Sequence, residues 1–439
     1  MTHGQPDDLS LQGQTVSNQS HDPSVPGTPA GVEQKVSWLE LFFDLIFVVA
    51  FDQLAKRLGD SQSLENILVF VVMFTAIWWA WASNATFAAR YGNECRTYRW
   101  GTLAEIVLMA MIATIERGDL RQTGVYFAVA FGINRLLHAG LHLWADRRTP
   151  DAVTLSRRIA SVVGTAGLLW LGSALLPGGS SAQLGVWVGA LLLDFLNPVL
   201  ARRRNLQALP HEGHLPERVG LLQIIALGGV MTEVVNGSRQ QQLGWTVLLP
   251  ALFSILSVVA LWRIYFDQAR ALPLLRARMQ GQLRGTLAWL YAHLPFTLSV
   301  VMLGVGLGHG ISSDTAKEAA TQQQFVVWPL CGALVTLAFL RWNSRRVAGQ
   351  PTADRSLLAL IVGALGAASL AFFDLDTLQV QGFVAALMVG VAAVVANDPA
   401  TRQLGQLEET LSAHLETAAE VTAKQEQGEQ EQAERRQPT

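Results

Sequence analysis

Apolar residues along this chain gather into twelve long stretches, each closed by polar or charged residues. They cover residues 38–55, 65–89, 101–116, 122–145, 158–177, 183–201, 218–236, 244–266, 286–309, 324–341, 356–373 and 378–396. About 20 apolar residues wound as a helix cross the hydrocarbon layer of a bilayer, so the pattern predicts twelve transmembrane helices. The windows at 101–116 and 158–177 are the least marked. The expected fold is therefore all-α, a polytopic helix bundle over 36–397. A polar tail over 1–35, rich in Ser, Pro, Gly and Gln, precedes it and is expected to stay disordered. A Gln/Glu-rich tail over 398–439 follows, in which Leu404, Leu407, Leu411 and Leu415 recur at helical spacing.

Composition agrees with this reading. Half of the residues are hydrophobic and only 15% are charged, against roughly 25% charged in soluble domains. Mean hydropathy is +0.29. A net charge of −2 leaves no basic face for nucleic acid. Two cysteines, Cys95 and Cys331, lie far apart and exclude a disulfide framework or a thiolate metal site. Thirteen Trp against five Tyr suit the headgroup boundary, where indole rings settle. No cofactor motif is present, and without a Walker motif any transport is secondary or passive.

Charge tests the span count independently. Loops after the even-numbered spans carry Arg90, Arg96, Arg99, then Arg147, Arg148, Arg157, Arg158, and so on through Arg341, Arg345, Arg346 and Arg355. These loops hold 19 basic residues and the alternate loops only 6. That alternation follows the positive-inside rule and predicts both termini in the cytoplasm.

Some residues are costly inside a membrane, where an ionisable group at the helix centre costs roughly 2.5–3.5 kcal/mol on insertion scales. Glu40, Asp44 and Asp52 share one face of the first span, beside Trp38, Phe42 and Phe43. Asn134, Arg135, His138 and His142 lie on the fourth span, the last three along one stripe, and Asp146 extends it. Arg135 is the expected partner of Asp44 or Glu105. Glu105, Asp194, Asn197, Glu233 and His293 complete the interior polar set. His138 and His142 at i, i+4 could hold a metal, but further ligands are missing. At the seventh span, Pro216 and Glu217 suit a helix start, and Arg218 is expected to face the headgroups. Gly228-Gly229 would admit a close neighbour or unwind the span. Trp262, Tyr265, Phe266 and Asp267 read as a boundary belt. Three readings of the first-span acids stay open: ion pairs that fix packing, a cation or proton path, and acid–base chemistry.

The stretch Val36-Ser37-Trp38-Leu39-Glu40-Leu41-Phe42-Phe43-Asp44 through Ala50 resembles the bacterial low temperature requirement A (LtrA) family. So do Asn134-Arg135, His214 with Glu217-Arg218, the run from Gly220 to Gly228, Trp262 with Tyr265-Phe266-Asp267, and Tyr291 with His293-Leu294-Pro295. The likeness spans roughly 36–310. It implies a multi-pass protein of the bacterial inner membrane named for a growth phenotype in the cold, and brings no substrate or mechanism. Where the family reads Leu-Gly-Glu, this chain has Leu227-Gly228-Gly229, and Glu233 is the candidate replacement one turn later. Phe43-Asp44 is also similar to a Phe-Ser-Asp signature in the first helix of certain potassium channels. The first two spans resemble the seventh and eighth, which suggests parallel repeats over 36–201 and 216–397. The expected partners are the lipid bilayer, an ion or small solute, and a second copy of the chain. Secondary transport or a channel is the favoured expectation. A non-transporting protein that supports membrane function in the cold is the alternative, and a lipid-modifying enzyme comes third, since Asp374-Leu375-Asp376 lacks the paired DxxD pattern.

Overall fold

A computed structural model describes residues 35–436, apart from 61, 116–118, 149–152, 201–212, 240, 281–282 and 314. The N-terminal tail and Arg202, Arg203 and Arg204 therefore lie outside the described residues. The regular structure among those described is entirely helical. In chain order the helices are α1 (Trp38–Asp60), α2 (Leu64–Tyr91), α3 (Arg96–Ile115), α4 (Leu120–Arg148), α5 (Val153–Ser173), α6 (Ser181–Leu200) and α7 (His214–Arg239). They continue with α8 (Trp245–Gln268), α9 (Leu272–Gln280), α10 (Leu283–Ser312), α11 (Ala316–Val347), α12 (Arg355–Leu370), α13 (Thr377–Asn397) and α14 (Pro399–Arg436).

Each of the twelve apolar windows holds a helix. The short α9 and the long α14 are additional. Among the described residues, eight helices are long and apolar enough to cross a membrane: α2, α3, α4, α7, α8, α10, α11 and α13. Length and composition thus account for eight crossings rather than twelve. α1 falls outside that set because its acids, Lys56 and Arg57 dilute its apolar run. The packing of α1 explains how it keeps them. Trp38, Phe42, Leu45 and Val49 form an exposed stripe, while Glu40, Asp44, Phe47 and Phe51 face the interior. The helix is apolar outside and charged inside, the reverse of a helix on a soluble protein.

Local chemistry sets several helix starts. Ser63 caps α2 and Asp354 caps α12, while Thr315 with Glu318 and Asp376 with Gln379 form capping boxes for α11 and α13. At the end of α2, Gly92 takes a φ of 84°, a conformation open to glycine, and turns the chain toward α3.

Helix neighbours follow one order in both halves. α1 packs on α2 and α3, α3 on α4, α4 on α5, α5 on α6, and α6 returns to α2. Likewise α7 packs on α8 and α10, α10 on α11, α11 on α12, α12 on α13, and α13 returns to α8. The tetrapeptide Gly101-Thr102-Leu103-Ala104 in α3 recurs as Gly285-Thr286-Leu287-Ala288 in α10, at the matching place in this order. α1 meets α7 and α10 where the halves join. There, small residues bring backbones together: a Cβ added to Gly237 of α7 would collide with the Gly308 carbonyl of α10.

The tryptophans divide into two groups rather than lying at the boundary alone. Trp38, Trp100, Trp245, Trp262 and Trp328 are exposed, whereas Trp78, Trp81, Trp170, Trp187 and Trp289 are fully buried. The buried rings fill the bundle interior, with Trp170 and Trp187 5.0 Å apart against Phe127.

Candidate functional site

The seam between α1 and α7 carries charge at both ends. α7 begins at His214, so Arg218 is already one turn inside the helix and points into the bundle. It is fully buried, not directed at headgroups as its neighbours Pro216 and exposed Glu217 suggest. Its guanidinium reaches Glu40 at 3.1 Å and Asp44 through two nitrogens, one of them at 3.2 Å. His214 stands 3.1 Å from Glu40. The i, i+4 acids of α1 thus meet an i, i+4 pair of bases on α7. Trp81 of α2 donates to Asp44 at 2.7 Å, and Asn93 to Glu40 at 2.6 Å. The Phe43 ring lies 5.5 Å from the guanidinium. With every oxygen occupied and the fork geometry satisfied, the cluster resolves the cost of burying both acids.

Arg135 is therefore not the partner of Asp44, nor of Glu105. It pairs with Asp194 of α6 at 3.0 Å and donates to Ser83 at 3.3 Å. Spacing showed which residues share a stripe of α4, but not that this residue of the stripe turns toward α6. Glu105 instead takes His138 at 3.1 Å and Asn84 at 2.8 Å.

A chain of polar contacts leads away from the α1 cluster through the first half. Tyr98 donates to Asn84 at 3.2 Å and lies 3.5 Å from Glu40. Asn84 leads to Glu105, Glu105 to His138, and the His138 ring stands edge-on to His142 at 5.1 Å. His142 packs against Phe87 and Tyr91, and the Tyr91 hydroxyl meets Ser156. Asn134 is buried beside Arg135. Asp146, at the end of this stripe, pairs with Arg157 at 3.0 Å. Among the described residues no three or more of His, Cys, Asp and Glu gather as a metal site.

At the other end of the seam, Asp52 accepts from Lys56 at 2.6 Å and from Gln53 at 3.0 Å. Glu233 of α7 comes close to Asp52 across the seam. Between them and the α1 cluster lies a cavity of about 20 Å³, walled by Val48, Phe51, Ala226 and Val230 and floored by Gly229 and Gly304. That volume admits about one water. Gly229 and Glu233 line the same cavity. Gly228 faces outward with open space around it and admits no neighbouring helix.

The second half has its own polar interior. His293 donates from Nδ1 to the Trp289 carbonyl at 2.8 Å and packs near Tyr265. Gln223 donates to Thr297 at 2.8 Å, and the Tyr291 hydroxyl ties α10 to Phe195 of α6 at 2.8 Å. α10 runs through Pro295 without a break. Of the Trp262 belt, Trp262 and Phe266 are exposed, while Tyr265 and Asp267 turn inward and Asp267 meets Arg263 at 3.3 Å.

Comparison with known proteins gives a consistent result. Residues 35–394 match the model of a family described as bacterial low temperature requirement A protein. An uncharacterized protein of Rhizobium meliloti (strain 1021) is 26% identical over 332 residues, covering 71% of this chain and 78% of that protein. An uncharacterized protein of Pseudomonas aeruginosa (strain PAO1) is 35% identical over 157 residues, 34% of this chain and 38% of the relative. No solved structure matches.

Proposed function

The chain belongs to the bacterial low temperature requirement A family, and we propose that it carries an ion or small solute along the seam where α1, α7 and α10 meet. One observation carries this reading: charged side chains stand at both ends of the seam, and between them lies an apolar, glycine-floored cavity. A bundle held together only by packing needs none of these, because small residues and apolar contacts suffice between membrane helices. Charged groups in membrane helices mark pathways by default.

The surrounding architecture supports the same reading. The shared neighbour order and the repeated Gly-Thr-Leu-Ala tetrapeptide favour two parallel repeats, whose interface is where transporters of this build hold their sites. With the basic loops placed in the cytoplasm, the twelve helices that hold the apolar windows cross the inner membrane, the Glu40–Arg218 cluster lies toward the cytoplasm, and Asp52–Glu233 lies toward the outside.

A steric plug tests the pathway whatever the ion. Gly229→Met points a long side chain into the cavity, where only Val48 approaches at 4.0 Å. Purified full-length protein in proteoliposomes is expected to pass one of a panel of protons, sodium, potassium and small solutes. The Gly229→Met protein should pass none while staying monodisperse and helical. Undiminished flux through the plugged protein, or no flux of any of the panel through the wild type, overturns the reading.

A further inference from the structure

We propose that Asp52 and Glu233 form a carboxyl pair that holds one proton, which makes the proton the ion handled at the outer end of the seam. The inference deepens the transport reading and rests on it only for that last clause. The pair itself follows from chemistry. A carboxylate has no hydrogen to donate. Two carboxyl groups that share one small cavity, as Asp52 and Glu233 do, can approach one another only with a proton between them.

Charge balance gives the same answer. Lys56 holds Asp52 Oδ2 at 2.6 Å. Two ionised acids against one lysine leave the pocket with an unbalanced negative charge, and one proton removes it. Inside a membrane bundle an unbalanced charge is the costly state. Two other basic groups stand nearby. Arg57 turns to the Met73 sulfur of α2. His309 of α10 lies against Gly59, a full turn beyond Lys56, with its Nδ1 on the Val305 carbonyl. Asp52 already has Lys56 as its ion-pair partner, so the proton is assigned to Glu233.

A second, independent feature shows where that proton can go. Glu233 is only 8% exposed, and its Oε1 has no hydrogen-bond partner. Glu233 lines the cavity, whose roughly 20 Å³ is enough for one water. A water there would accept from or donate to Oε1. Loading is then the transfer of H⁺ from a hydronium ion to the Glu233 carboxylate, leaving water, and release is its reverse. Gly229 and Gly304 keep the space open. A Cβ on Gly304 would press on Val230 at 3.3 Å, while a Cβ on Gly229 would meet only the Val48 methyl, at 4.0 Å.

Infrared difference spectroscopy on the full-length protein reads the proton directly, through the C=O stretch of a protonated carboxyl. Wild-type protein at neutral pH should show such a band in H₂O that shifts in D₂O. Glu233→Gln should lose it, and Asp52→Asn should move its frequency. Gly229→Glu placed in the Glu233→Gln background returns a carboxyl to the same cavity and should restore a protonated band. Absence of any band removed by Glu233→Gln, in protein that keeps wild-type helicity, overturns the pair. Proton flux in proteoliposomes separates the two claims. A Glu233 band with no flux keeps the pair and overturns transport. Sodium, potassium or solute flux that survives Glu233→Gln, with no band, overturns the pair and keeps the seam.

Discussion

Arg218→Met is the most informative single change in this molecule, because it removes one cation from between two buried acids. Glu40, Asp44 and Arg218 are all fully buried. Methionine keeps the length and apolar bulk, so packing against Phe43 and Trp81 survives while three hydrogen bonds vanish. An exposed pair would be worth about 0–1 kcal/mol. Three interhelical hydrogen bonds valued at about 0.6 kcal/mol each, the average in a membrane, give about 2 kcal/mol. Stranding a buried charge costs about 3–5 kcal/mol. The last regime applies here, since the unfolded chain in a micelle can turn both carboxylates to water and the native bundle cannot. The expected loss is therefore about 3–5 kcal/mol, read by unfolding in mixed SDS micelles and followed by helicity. The triple variant Glu40→Gln, Asp44→Asn, Arg218→Met removes both acids and the guanidinium together and should return to within about 1 kcal/mol of wild type, since an apolar or neutral replacement of a buried pair is close to neutral. A loss below about 1 kcal/mol for Arg218→Met would show that the cluster behaves as a solvated pair, and the burial argument would fail.

Other perturbations test other parts of the same reasoning. A double-mutant cycle on Arg135 should show strong coupling, about 1–3 kcal/mol, with Asp194→Asn and none with Asp44→Asn; coupling to Asp44 instead would reverse the partner assignment. Gly237→Ala should lower stability by about 1–3 kcal/mol through its collision with Gly308, whereas Gly228→Ala, in open space, should gain up to about 1 kcal/mol of helix propensity; equal effects would refute the close approach of α7 and α10. Asp398 lies beyond the last span. Burial works to raise its carboxyl, but the Ser356 hydroxyl at 2.6 Å, the Ala400 and Ser356 N–H groups and Arg341 outweigh it and hold it below the usual aspartate range. Its contribution is then complete above about pH 4, the ordinary aspartate pKa, and lost as pH falls below that. Amide exchange at the start of α14, corrected for its intrinsic rate, should accelerate only in that acid range, and Asp398→Asn should already exchange fast at neutral pH. An unchanged profile would remove Asp398 as the anchor of that helix.

The sequence makes helices far more legible than partners. Long apolar windows announce their own positions because a span must be apolar over its whole length. α9 escaped this reading because nine mixed residues give no window, whereas the helical spacing of Leu404, Leu407, Leu411 and Leu415 signals α14 but not its length. The shared face of Glu40 and Asp44 is visible in their spacing. The identity of the helix opposite is not, since periodicity fixes a side chain's azimuth and says nothing of the neighbour. Arg218 was hidden for a specific reason. Pro216 and Glu217 look like the first turn of a helix, which would put Arg218 at the surface, but α7 starts at His214 and carries Arg218 inward. A usable signal did exist: His214 and Arg218 repeat the i, i+4 spacing of Glu40 and Asp44 with opposite sign. Asp52 and Glu233 were each visible as costly acids within spans, but not as neighbours.

The Asp44–Arg218 contact joins residues 174 apart in the chain, and that distance has a temporal meaning. At about 5–20 residues per second, the ribosome adds Arg218 roughly 9–35 s after Asp44. Through that interval the first helix carries two acids with no cation to meet. Each would cost about 2.5–3.5 kcal/mol if the helix were released into lipid. α1 must therefore stay shallow or sheltered by the insertion machinery until α7 arrives. α1 is synthesised ahead of the other described helices, yet it is among the last to be locked in place, and slow elongation prolongs its exposure.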